Sequence, residues 1–291
     1  MSAPVVLVVQ HDPGDPIGRL GDWLTSAGVA IDVRRAWLGE APDSLDGYDA
    51  LVVLGGTMNC LDDAAAPWLP GIRALLRDAV ADELPTLGIC LGAQLLAAAN
   101  GGVVALNPDG PEYGAQLVAK RSVAASDPLF GPVPIMPDVV QWHVDAVTRL
   151  PAGAVLLASS PLCEVQAFRL GRLAWGLQFH IETTPDVVRA WAEEDRVADA
   201  GYDVERIVER ASAVRDDLAE VWQPFTVAFC AIVADPAAVT VASGPTMSTA
   251  APITDPAAIR AALAAEAQAA HRGGAQVLPM PGVRPRPDND D

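Results

Sequence analysis

Basic side chains are scarce in this chain: 19 Lys and Arg stand against 37 Asp and Glu, a formal net charge of −18 over 291 residues. That balance repels nucleic-acid phosphates and anionic membrane surfaces, so neither is expected as a partner. Cysteine is scarce as well. Cys60, Cys90, Cys163 and Cys230 fall in no CxxC or other metal-ligand spacing, and a chain this long needs no disulfide staples, so reduced thiols and no metal site are expected. No uninterrupted apolar run approaches the roughly twenty residues that span a bilayer. The opening MSAPVVLVVQHD has no basic region ahead of its apolar run and reads as a first strand rather than a signal peptide, which points to the cytoplasm.

What is present is an alternation of strand and helix signals. Val5 to Gln10 reads as a buried strand, Ile17 to Ala27 as an amphipathic helix, and Ala30 to Arg34 and Ala50 to Leu54 as strands. Pro67 to Ala81 reads as a helix with Trp68, Ile72, Leu75 and Leu76 along one side. This order implies an α/β fold with a doubly wound, mostly parallel sheet and a site at the carboxyl ends of its strands. After Gly102 shorter strands are expected at Gln116 to Val123, Val139 to Trp142, Ala154 to Ala158, Cys163 to Phe168 and Leu173 to His180. Helices dominate from Pro185, at Val187 to Asp199 and Asp203 to Val233, with acidic residues from Asp186 to Glu220 forming a solvated face or a docking surface for a basic partner. Beyond Asp235 the chain is rich in Ala, Pro, Ser, Thr and Gly, with a short helix expected near Pro256 to His271. The division is a main domain over 1–184, a C-terminal helical extension over 185–234 and a partly flexible tail over 235–291.

Two segments carry chemistry. In LGICLGAQLLAAANGG, Cys90 stands between Gly88 and Gly92, after an apolar strand and before a helix-forming run. Glycines on both sides let the backbone bend sharply, and a helix N-terminus favours a thiolate. A buried core cysteine is the alternative for such a residue taken alone. In GRLAWGLQFHIE, His180 and Glu182 are two residues apart, which puts both on one face of a strand. A carboxylate there holds the imidazole tautomer while the other ring nitrogen takes a thiol proton.

With these motifs the chain resembles the class I, triad-type glutamine amidotransferases. The resemblance rests on GICLGAQ, on GLQFHIE, on VVLGGTMN from Val52 to Asn59, on the EYG of Glu112 to Gly114 and on the QWHVD of Gln141 to Asp145. It implies that Cys90 attacks the side-chain amide carbon of glutamine, that His180 moves the proton, and that Glu182 orients His180. The backbone amides of Gly56 and Leu91 would form the oxyanion hole. Gln94, one helical turn beyond Cys90, and Gln141, Trp142 and His143 would line the substrate pocket. Asp145 is a candidate acceptor for the His143 ring proton, in a structural pair or a catalytic one. No cofactor is implied.

The chain departs from the family at Gly55-Gly56-Thr57, where relatives often carry proline after the glycine pair, so order in this loop is expected to depend on a ligand or partner. Members usually pass ammonia to a synthetase domain. Neither a GxxxxGK[ST] phosphate loop nor an SGGxD-like run is present, since SGPTMS at Ser243 lacks the glycine pair and the acid. Three readings follow. The chain is a glutaminase that serves a separate synthetase or acceptor protein, or it is a γ-glutamyl peptide or conjugate hydrolase, or it is a noncatalytic binding protein on the same fold.

Overall fold

The first strand is apolar on both faces because both faces are covered. In the computed structural model, which describes residues 3–241, β1 (Val5–Gln10) sends Val6 and Val8 into one hydrophobic cluster and Leu7 and Val9 into another. That is the position of a central strand in a doubly wound sheet. The chain continues through α1 (Gly18–Ser26), β2 (Ala30–Arg35), β3 (Ala50–Val53), α2 (Leu69–Ala81), β4 (Thr86–Ile89) and α3 (Leu91–Ala99). It then makes an excursion through β5 (Val103–Leu106), β6 (Glu112–Leu117), β7 (Ala119–Lys120), β8 (Asp138–His143) and β9 (Asp145–Arg149). It returns through β10 (Val155–Ser159), β11 (Ala167–Leu170) and β12 (Ala174–Leu177) to α4 (Pro185–Glu194), α5 (Val204–Ala213) and α6 (Arg215–Ala234).

The main sheet has eight strands in the order β2-β1-β3-β4-β12-β11-β10-β7. Pairing is parallel from β2 to β12 and antiparallel from β12 to β7. Two smaller antiparallel pairs, β5 with β9 and β6 with β8, form the excursion. Helices α2 and α3 cover one face of the sheet with Leu69, Ile72, Leu76, Leu95 and Leu96. Leu20 and Leu24 of α1 share the other face with Trp191 of α4, Val208 of α5 and Trp222, Phe225 and Phe229 of α6. The helices after Pro185 therefore bury their stripes in the core of the sheet. Among the described residues α6 is the one helix long and apolar enough to cross a membrane by length and composition, and Leu218, Trp222, Phe225 and Phe229 on it are buried in this core.

Several boundaries differ from the sequence expectation. The stretch expected as one helix from Asp203 to Val233 is two, α5 and α6, meeting at Val214. Its apolar stripe continues through the break, so periodicity does not register it. Helix α4 stops at Glu194 because Arg196 takes a left-handed conformation at φ +51°. The strand expected over 116–123 is divided between the end of β6 (112–117) and β7 (119–120), β11 starts at Ala167 rather than Cys163, and β5 and β9 were not anticipated, all short strands without clean alternation. The helix expected near 256–271 lies outside the described residues.

Candidate active site

Cys90 sits between β4 and α3 with φ +51° and ψ −109°, a conformation that costs a non-glycine residue about 1–3 kcal/mol. The turn is possible because its flanks are bare. A Cβ on Gly88 would lie 2.6 Å from the backbone of Gly92, and one on Gly92 would overlap the carbonyl of Val53 on β3. The strained turn holds the thiol at the carboxyl end of the sheet, bordering a cavity of about 340 Å³. The thiol lies 3.6 Å from the carbonyl of Trp142, and Gln178 Nε2 donates to the sulfur at 3.7 Å.

His180 borders the same cavity. Strand β12 ends at Leu177, short of the expected His180, and the chain instead reaches His180 through a bridge to Val140 of β8. The relation to Glu182 survives this change: His180 Nδ1 lies 2.6 Å from Glu182 Oε1, and both side chains are buried. The other Glu182 oxygen accepts the Ile181 amide at 2.9 Å, which fixes the carboxylate. Burial alone would lower the His180 pKa, but the Glu182 carboxylate and the Cys90 sulfur outweigh it and raise the value well above the ordinary one. Burial disfavours ionisation of the other three thiols, pushing Cys60 and Cys163 up to about 12 and Cys230 to about 11.

The profile of the glutamine amidotransferase class-I family matches residues 22–195. The chain belongs to this family. It is 30% identical over 199 residues to the glutamine amidotransferase-like protein YfeJ of Salmonella typhimurium, covering 66% of this chain and 82% of that one. It is 33% identical over 162 residues to a glutamine-hydrolyzing GMP synthase subunit of Thermoplasma acidophilum (55% and 76% covered). A γ-glutamyl peptidase 4 of Arabidopsis thaliana is 29% identical over 204 residues (69% and 78% covered). Among solved structures, a glutamine amidotransferase of Thermotoga maritima superposes with a TM-score of 0.72 at 28% identity, covering 79% of this chain and 99% of that one.

The other family positions are placed as follows. The Leu91 amide is the first of α3, where it has no partner inside the helix. Gly56 borders the cavity, and a Cβ there would meet Leu91 Cδ2 and Met58 Sδ, each at 2.8 Å. In place of the usual proline, Thr57 donates to Asp12 Oδ2 at 3.2 Å, and two residues on Asn59 donates to Asp145 Oδ2 at 2.7 Å, so side chains tie this loop down. Gln94 borders the cavity and donates to the Asp145 carbonyl and to Gln178 Oε1, completing a chain from Gln94 through Gln178 to the thiol.

One expectation is corrected, and in another Asp145 faces the His143 ring through its backbone carbonyl rather than its carboxylate. Gln141 does not reach the cavity. It alternates with Trp142 along β8, so the same strand that turns the Trp142 ring to the cavity buries Gln141 completely, where its amide finds no partner. His143 borders the cavity, but the carboxylate facing it is Glu112: Nε2 lies 3.1 Å from Glu112 Oε2, and Nδ1 lies 3.0 Å from the Asp145 carbonyl oxygen. The Asp145 carboxylate is held by Asn59 instead. Glu112, His143 and Cys163 also converge closely enough to suggest metal ligands. The Glu112 oxygens are already taken by His143, Gln166 and Ser160, so hydrogen bonds among the residues themselves satisfy this carboxylate.

Sequence reasoning missed Gln178, although the spacing of two that joins His180 to Glu182 also reaches back to Gln178. It also missed Asp15, Trp191, Glu194 and Asp195, which border the cavity without belonging to a motif, and it gave no role to Tyr113 within the EYG motif. Asp15 is buried, and burial is the main force raising its pKa to about 7; His180 opposes that rise while Glu182, Asp12 and Glu194 add to it.

Proposed function

We propose that this protein hydrolyses the side-chain amide of glutamine or of another γ-glutamyl compound through a Cys90–His180–Glu182 triad. The observation that carries the reading is the pairing of a strained, cavity-facing Cys90 with a buried His180 whose charged form Glu182 favours. Cys90, as thiolate, attacks the γ-carbonyl carbon. The oxyanion is held by the amides of Gly56 and Leu91, and His180 gives its proton to the departing nitrogen. Water, deprotonated by the same imidazole, then resolves the γ-glutamyl thioester to glutamate. With glutamine as substrate the released ammonia would pass to a separate synthetase protein. The similarity to a glutamine-hydrolyzing GMP synthase subunit supports that division of labour. A second reading, hydrolysis of larger γ-glutamyl conjugates, is supported by a cavity that extends past His180 to Trp191 and Asp195.

The test is glutamate release from glutamine and from a γ-glutamyl panel by purified protein, together with labelling by a glutamine-mimicking electrophile. Turnover and labelling are expected to vanish together in Cys90→Ala. Labelling at Cys60, Cys163 or Cys230 that persists in that variant would refute the assignment.

A further inference from the structure

Whatever leaves in this reaction leaves past His180, because His180 protonates the departing nitrogen. The walls around that ring therefore contact the leaving group, and they have one character. Trp191 packs on His180 with centroids 4.7 Å apart, and Trp142 lies 5.8 Å from Trp191 and 4.7 Å from Tyr113. Across Gly55, where a Cβ would lie 3.0 Å from Asp15 Oδ1 and 3.2 Å from His180 Cε1, stands the carboxylate of Asp15. Helix α4 delivers Glu194 and Asp195 to the exposed rim, and its C-terminal carbonyls add partial negative charge with no basic residue in the last turn. Asp195 accepts from the Trp142 indole at 2.8 Å, so aromatic ring and carboxylate form one surface.

Among the described residues the cation that acts on Asp15 is His180, which is already paired with Glu182. No Lys or Arg borders the cavity among the described residues. Asp15 is only 7% exposed, yet its carboxylate has no hydrogen bond or ion pair there. A buried carboxylate without a partner is costly unless a ligand supplies the cation. Aromatic faces beside carboxylates are the surroundings an alkylammonium group prefers, through cation–π attraction and charge-assisted hydrogen bonds.

We propose that the substrate is a γ-glutamyl amide of a cationic amine, such as a diamine linked through one nitrogen, whose free ammonium is held between the aromatic wall and Asp15, Glu194 and Asp195. The inference rests on the triad reading above. The Cys90 sulfur bonds to the γ-carbon, the carbon–nitrogen bond breaks, and the His180 proton goes to the amine nitrogen. Water then cleaves the thioester, so glutamate and the diamine are the products. A γ-glutamyl dipeptide would instead bring its terminal carboxylate against three acids.

The test compares kcat/KM for γ-glutamyl-1,4-diaminobutane, γ-glutamyl-butylamide, γ-glutamylalanine and glutamine on the full chain, with Cys90 labelling measured in parallel. The diamine conjugate is expected to exceed its neutral isostere by ~10-fold or more, and γ-glutamylalanine to fall below both. In Asp15→Asn and Glu194→Gln the ratio of diamine conjugate to butylamide, taken within each variant so that any common loss cancels, should move toward one. A wild-type ratio at or below one, or a ratio unchanged in both variants, overturns the cation subsite while leaving the triad standing. Absence of turnover on all four compounds, with no labelling of Cys90, overturns the triad reading and this inference with it.

Discussion

This fold contains two constellations of thiol, imidazole and carboxylate, built from the same residue types and both buried. At one, Cys90 faces His180, which lies 2.6 Å from Glu182. At the other, Cys163 lies beside His143, which is 3.1 Å from Glu112. Their surroundings separate them. Glu112 is satisfied on every side, by His143, Gln166 and Ser160, and burial followed by the Glu112 charge pushes the Cys163 thiol up to about 12. Cys90 occupies a strained turn at a cavity wall, and its histidine borders the same cavity. Access and strain, rather than residue types, distinguish the two constellations.

The sharpest way to break this comparison is to remove each thiol in turn. Cys90→Ala is expected to lower kcat by ~10^4-fold or more, the scale for losing a nucleophile that acts as part of a unit. Cys163→Ala should leave kcat within ~3-fold and cost about 1 kcal/mol of stability through a small cavity. Steady-state glutamate release and chemical denaturation read the two effects separately. Equal losses of kcat would show that the second constellation takes part in the chemistry.

The carboxylates sharpen the comparison further. Glu182→Gln should cut kcat by ~10^2- to 10^4-fold with the fold intact, because it loses the tautomer and charge of His180 rather than the base itself. Glu112→Ala should act mainly on stability, by about 3 kcal/mol, since His143, Gln166 and Ser160 would each lose a buried partner. The measurements are kcat on folded protein and the denaturation midpoint. If Glu112→Ala lowers kcat as much as Glu182→Gln without moving the midpoint, the roles assigned to the two pairs are wrong.

The sequence carried one of these sites well and the other hardly at all. Glycines flank Cys90 because the chain must bend and pack closely there, and a spacing of two joins His180 to Glu182, so both signals are local. The parallel half of the sheet was legible for the same reason, since β1 and β3 are buried on both faces and read as continuous apolar runs. The network around Glu112 joins β6, β8 and the segment before β11; EYG and QWHVD mark two of these strands, but no spacing within either motif shows that Glu112 faces His143. The shift of β6 to 112–117 and the break at Val214 were hidden because short strands and an unbroken stripe give periodicity nothing to detect. The cavity wall of Asp15, Tyr113, Trp191, Glu194 and Asp195 is assembled only by tertiary packing.

Asp15 supplies the smallest and most specific test, because it is a second buried carboxylate beside the His180–Glu182 pair. Its pKa in the folded state is raised to about 7 from an ordinary 3.8, chiefly by burial, so ionising it costs more in the folded chain than in the unfolded one. The folded state therefore loses stability as pH climbs from about 4 to about 7, and the loss stays in place above that. Asp15→Asn removes the ionisation. The variant should match the parent near pH 4, gain stability through that window, and level off above pH 7 at about 2 kcal/mol or more. His180 changes stability in the same direction at higher pH: its raised pKa stabilises the fold below about 6.5, and that contribution fades as pH passes through the folded-state value. Because His180 is present in both proteins, the difference between parent and variant isolates Asp15, apart from the coupling between the two groups. Urea denaturation of both at pH 4, 6 and 8 measures it. A difference that does not grow with pH would mean that Asp15 is ionised throughout and already has a partner.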